Sequence, residues 1–237
     1  AVRVLVLQHH PTSPAGLVGE EAAMMGVELE VIDAQHGCAL PAEARDYDGL
    51  LILGGAMSAL DDDVCRHFPP LLQLVHELAA RETPVLGLCL GGQLLARAFG
   101  GQVHRQRHGE FGFRPVRPTA RAADDPLLAG TPGPVPVMQW HDDSFAPPEK
   151  AVPLLEGDPC RWQAFRVGRS VWGFQGHLEV TRRDALIWSA LRRDLRGDAA
   201  APALIARHMA DGWPATEAFG RMVARRWLGL CQRRSSF

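Results

Sequence analysis

Four short apolar runs constrain this chain most: Val2–Leu7 (VRVLVL), Gly49–Leu53 (GLLIL), Pro84–Leu88 (PVLGL) and Val171–Gln175 (VWGFQ). Each is too short for a helix and too continuous for a strand with one wet face, so each reads as a strand buried on both sides. Residues 14–25 and Pro69–Arg81 between them carry apolar side chains at helical spacing, and Glu28–Ile32 alternates as a further strand. Buried strands alternating with helices predict an α/β fold with an open, mostly parallel, Rossmann-like or flavodoxin-like central sheet flanked by helices.

The rest of the chain is patterned differently. From Gly101 to Pro159 proline and glycine are frequent, with short β-like pieces at Phe113–Val116 and Val135–Trp140, and Ala164–Val167 reads as another strand. From Arg182 the spacing turns helical, breaks near Gly197, and predicts a helical pair from Pro202 to Leu230. Without internal repeat or linker, residues 1–195 read as one domain and 196–237 as a short helical C-terminal extension packed on it. Its Pro202–Leu230 segment, with Trp213 and Trp227, fits a packing cap or a dimer surface, and the cap is favoured.

Composition narrows the function classes. The net charge of −2 gives no electrostatic reason for a nucleic-acid or membrane partner. No apolar stretch is long enough to span a bilayer, and AVRVLVLQHH lacks the layout of a signal peptide, so the expected location is cytoplasmic. The five cysteines are scattered without a CxxC pair, which supports neither a disulfide framework nor structural zinc. Lys150, the only lysine, follows no glycine-rich loop, which argues against a Walker-type nucleotide site. His9 and His10, with Asp61, Asp62 and Asp63, are read as polar loop residues, and neither metal nor cofactor is expected.

In an open parallel sheet ligands bind beyond the carboxyl ends of the strands, and three strand ends are chemically rich. In VLGLCLGGQ, Cys89 sits between a strand and a helix at a glycine-flanked turn, where the helix N-terminus favours a thiolate. Taken alone, Cys89 is either a buried core thiol or a nucleophile. In GFQGHLEV, His177 and Glu179 are two apart, the spacing that puts a base and its orienting acid on one side of a strand end. A solvated surface pair has the same spacing. In LILGGAMS, Gly54-Gly55 leaves backbone N–H groups unobstructed; with the Leu90 N–H they form a candidate oxyanion hole, or else a simple turn.

Together these residues carry a resemblance. Gly87-Leu88-Cys89-Leu90-Gly91-Gly92-Gln93 resembles the G-x-C-x-G-x-Q elbow of triad-type (class I) glutamine amidotransferases. His177-Leu178-Glu179 is similar to the H-x-E pair of that family, and Gly54–Ser58 to its oxyanion motif. Glu110–Phe113, Gln139–Asp143 and Gln163–Arg166 resemble the stand-alone branch related to the glutaminase domain of GMP synthase. The resemblance implies a catalytic triad of Cys89, His177 and Glu179, with Gly55 and Leu90 as oxyanion donors. It also implies Gln93 and Asp143 as substrate contacts. The implied reaction is hydrolysis of a γ-carboxamide through a γ-glutamyl thioester, with glutamine or another small γ-glutamyl compound as substrate. Ala56, Gly176 and Leu178 depart from the usual pattern of the family and bear on pocket shape. Three functions share these motifs: a glutaminase subunit feeding ammonia to a separate synthetase, a stand-alone γ-glutamyl hydrolase, and a non-catalytic binding module. The intact triad argues against the last.

Overall fold

Side chains alternate along each apolar run, so every run feeds two cores at once. In the computed structural model, which describes residues 1–236, Val4, Val6, Leu51, Leu53, Leu86 and Leu88 pack into one hydrophobic layer. Leu5, Leu7, Leu50, Ile52 and Val85 pack into another on the opposite face. The strands are β1 (Arg3–Gln8), β2 (Glu28–Asp33), β3 (Gly49–Ile52) and β4 (Val85–Leu88). Helices α1 (Gly16–Met25), α2 (Phe68–Ala80) and α3 (Leu90–Ala98) connect or follow them. Val18 and Ala22 of α1 close the first layer, and Leu71, Val75 and Leu94 of α2 and α3 close the second.

The chain continues through β5 (Gln102–His104), β6 (Glu110–Pro118), β7 (Val135–His141), β8 (Ser144–Ala146), β9 (Val152–Gly157), β10 (Trp162–Val167) and β11 (Val171–Phe174). It ends in α4 (Arg182–Arg196) and α5 (Ala201–Ser235). The nine-stranded sheet runs β2-β1-β3-β4-β11-β10-β9-β6-β7. From β2 to β11 every neighbour is parallel, the expected core. From β11 onward every neighbour is antiparallel, so the proline-rich middle third builds a second half of the same sheet. Strands β5 and β8 form a small separate pair.

One expectation is corrected. The predicted helical pair from Pro202 to Leu230 is a single 35-residue helix, α5, with Pro214 inside it. Buried Ile205, Met209, Trp213, Thr216, Gly220, Val223 and Trp227 keep helical spacing straight through the proline. Pro214 and Ala210 lie on the exposed side, where a carbonyl deprived of its N–H partner meets water. The buried stripe therefore outweighs the local break. This helix packs on α1, α4, β6 and β7.

Candidate active site

The elbow begins with β4 delivering Cys89 to the first turn of α3. Cys89 adopts φ 55° and ψ −106°, a strained conformation costing about 1–3 kcal/mol. It is held by its N–H donating to the Phe174 carbonyl (2.9 Å) and its carbonyl accepting from the Gln93 N–H (3.0 Å). Glycines let α3 sit directly on the sheet behind it: a Cβ on Gly91 would lie 2.1 Å from the Ile52 carbonyl oxygen, and one on Gly92 2.4 Å from that of Phe174.

His177 and Glu179 lie just beyond β11, in a turn rather than in the strand itself. The turn is fixed from three sides. The His177 N–H donates to the Met138 carbonyl (2.8 Å), and the Leu17 N–H at the start of α1 donates to the Glu179 carbonyl (2.7 Å). From α5, Gly220 comes so close that a Cβ there would lie 2.3 Å from the Leu178 carbonyl oxygen. Both side chains are buried, and His177 Nδ1–H donates to Glu179 Oε2 at 3.0 Å. Burial works against a charged ring, but the Glu179 carboxylate and then the Cys89 sulfur outweigh it and hold the His177 pKa up to about 10. Gly54 borders both groups: a Cβ on it would lie 3.0 Å from His177 Cε1 and 3.6 Å from Cys89 Cβ.

A cavity of about 470 Å³ opens over Cys89, and Gly55, Leu90, Gln93, Asp143 and His177 all line it. Leu90 opens α3, so its N–H has no intrahelical acceptor. The Gln93 amide donates to the Asp143 carbonyl (3.1 Å) and to Gln175 Oε1 (3.3 Å). Asp143 Oδ1 accepts the Gln106 N–H at 3.0 Å. Gln175 directs its amide at Cys89 Sγ (3.8 Å), while the thiol points at the Trp140 carbonyl (3.8 Å). The structure thus brings all seven sequence-identified positions to one cavity or its buried wall.

Sequence reasoning missed two supporting groups. Glu110 and His141 face each other across β6 and β7 and share a buried contact of 3.0 Å, and His141 Nδ1–H donates to the Asp143 carbonyl (2.7 Å). The pair thereby pins the loop that carries Asp143. Its only sequence signal was its place inside the segments quoted for the resemblance. Glu110, His141 and Cys160 form the one group of three possible metal-ligating side chains among the described residues, although Gln163 and His141 already hydrogen-bond Glu110. The second missed group is His67. His9 Nδ1–H donates to the Leu53 carbonyl (3.1 Å) and its Nε2 meets His67 Nε2 at 3.0 Å, directly behind Gly55. His10 turns instead to Thr12, Asp61 to Arg105 and Asp62 to Arg97, while His10 and Asp61 both line the cavity. Gly176 packs closely on two side chains: a Cβ there would lie 2.7 Å from Gln139 Nε2 and 2.8 Å from a Val137 methyl, so both would have to shift.

The family model for class-I glutamine amidotransferases matches residues 17–185, most of the chain. The chain belongs to that family. This amidotransferase is 30% identical over 183 residues to the glutamine amidotransferase-like protein YfeJ of Salmonella typhimurium, covering 76% of this chain and 77% of that protein. It is 32% identical to a glutamine-hydrolysing GMP synthase subunit of Archaeoglobus fulgidus, over 66% of this chain and 78% of that one. A glutamine amidotransferase crystal structure from Methylobacillus flagellatus superposes with a TM-score of 0.85 at 30% identity, covering 97% of this chain and 96% of that one. The amidotransferase is therefore an enzyme of the glutamine amidotransferase type, and no helix among the described residues is long and apolar enough to cross a membrane.

Proposed function

We propose that the enzyme hydrolyses the γ-carboxamide of a glutaminyl group through a thioester on Cys89. The observation that carries this reading is the geometry: Cys89 stands on a strained elbow, and Gly54 borders both it and the His177 ring. The Nδ1–H of that ring is held by the buried Glu179 carboxylate, the arrangement of a nucleophile, its base and an orienting acid. The thiolate attacks the carbonyl carbon, and the N–H groups of Gly55 and Leu90 receive the oxyanion. Each such donor is typically worth about 2.7–4 kcal/mol in the transition state. Collapse breaks the C–N bond, and His177 gives its proton to the departing ammonia or amine. Neutral His177 then takes a proton from the water that attacks the thioester, which releases the glutamyl acid and restores the pair. Glu179 holds the ring with Nδ1 protonated throughout. Gln93, braced by Gln175, shapes the glutamyl pocket, and Asp143 receives the α-ammonium group.

Where ammonia is the product, a separate synthetase is the acceptor this reading implies, by analogy with the relatives that are GMP synthase subunits. The test is amine release by the purified chain from glutamine and from γ-glutamyl amides. Cys89→Ala should abolish release with the circular dichroism spectrum unchanged; equal turnover in that variant would reject the reading.

A further inference from the structure

One wall of the cavity takes no part in the thioester chemistry. Trp188, Leu191 and Leu195 line it from α4 at spacings of three and four residues, so they form one row on one helix face, and Trp140 of β7 joins them. The row starts at the imidazole: the Trp188 ring stands edge-on to His177 at 4.6 Å and to Trp140 at 6.0 Å. The Trp188 indole N–H is spent on the Thr12 carbonyl (2.6 Å), so this ring offers a ligand only apolar surface. The row ends at the mouth with Leu195, a leucine 71% exposed. Its charged neighbour Arg196 is already paired with both carboxylate oxygens of Asp142, at 3.3 and 2.7 Å. Gln93 and Asp143 also line the cavity and are tied to each other through the Gln93 amide and the Asp143 carbonyl.

We propose that this wall is the leaving-group subsite, and that the preferred substrate is a γ-glutamyl amide of an apolar or aromatic amine rather than free glutamine. The proposal rests on the thioester reading and deepens it. With the carbonyl carbon at Cys89, its oxygen toward Gly55 and Leu90 and the glutamyl end toward Gln93, the scissile nitrogen faces His177, which protonates it. A substituent on that nitrogen then passes His177 and lies along Trp188, Trp140, Leu191 and Leu195. Ammonia touches none of them. The atoms balance as for glutamine: the C–N bond breaks, the S–C bond forms, the amine leaves with the His177 proton, and water supplies the hydroxyl that releases glutamate. An anionic leaving group is disfavoured, because both guanidiniums in the lining are already paired, Arg196 with Asp142 and Arg105 with Asp61. A cavity of about 470 Å³ falls in the range of roughly 300–1,000 Å³ that holds ligands larger than an amino acid.

The experiment compares kcat/KM of the purified full chain for glutamine, γ-glutamyl-methylamide and γ-glutamyl-benzylamide, whose two alkylamine leaving groups differ mainly in apolar area. The expected result is a preference of about tenfold or more for the benzylamide over the methylamide, the scale of a filled hydrophobic pocket. Leu191→Asp and Leu195→Asp should each pull that ratio toward one. Equal use of the two amides, or a ratio unmoved by both variants while glutamine is still hydrolysed, overturns the proposal and marks the wall as a partner-docking surface instead. Failure to release amine from all three, with no acylation of Cys89, overturns the thioester reading and the proposal with it.

Discussion

Acid should weaken this protein through the histidine pair behind the Gly54-Gly55 loop, well before the carboxylates titrate. His9 is fully buried; burial first, then the neighbouring His67, push its pKa from 6.5 down to about 4. Burial lowers His67 as well. The hydrogen bonds show why a proton is unwelcome. His9 Nδ1–H serves the Leu53 carbonyl and its Nε2 meets His67, while His67 Nδ1 is buried without a partner. A folded-state pKa below the unfolded value means that the unfolded chain binds the proton first. The stability is therefore fully present above about pH 6.5 and is lost as the pH falls toward 4. At about 1.4 kcal/mol per pH unit, His9 alone accounts for about 3 kcal/mol of that loss by pH 4. His177 works in another window: its raised pKa contributes fully below about 6.5 and fades as the pH rises toward 10, so it adds no slope in the acid range. The assay is urea unfolding followed by tryptophan fluorescence between pH 4 and 8, for the natural chain and for His9→Gln. The variant should be less stable at pH 8 yet show a shallower acid slope. Parallel curves for the two proteins would refute the reasoning.

Two further outcomes follow from the geometry of the turn at residues 177–179. Glu179→Gln removes the leading attraction on the imidazole, so the His177 pKa should fall and turnover should drop by about 100-fold or more, read by amine-release kinetics across pH. Gly220→Ala puts a Cβ against the Leu178 carbonyl oxygen, 2.3 Å away if nothing moves. Overpacking of this kind costs about 1–3 kcal/mol. Because the displaced backbone carries His177, kcat should fall further than the urea midpoint alone predicts; an unchanged kcat in that variant would contradict the clamp.

What could be read from the sequence follows from which forces act locally. The parallel half of the sheet was legible because Val4–Leu7, Leu50–Leu53 and Val85–Leu88 are buried on both faces, and such runs announce themselves without tertiary context. The antiparallel half was legible only in fragments. Strand β6 extends from Glu110 to Pro118, but Gly112 (φ 105°), Arg114, Pro115 and Arg117 interrupt any alternation, so only Phe113–Val116 stood out. Strand β9 (Val152–Gly157) gave no clear pattern at all. The helical pair expected from Pro202 to Leu230 is one helix, because the buried stripe that runs through Pro214 acts through long-range packing on β6 and β7. At the site, Cys89, His177 and Glu179 were legible because each sits in a compact motif. The partnership of His9 with His67, 58 residues apart, leaves no trace in local spacing. The same holds for the pairing of Glu110 with His141, which depends on the β6–β7 register.

The most direct test of the central claim is to look for the acyl enzyme itself. The chain is mixed with a γ-glutamyl amide, quenched in acid within milliseconds to seconds, digested, and mapped by mass spectrometry. The account predicts a γ-glutamyl adduct on the peptide carrying Cys89, absent in Cys89→Ser and accumulating when Glu179→Gln slows its hydrolysis. Full substrate turnover with the adduct on Cys38, Cys65, Cys160 or Cys231, or on no cysteine at all, would contradict it.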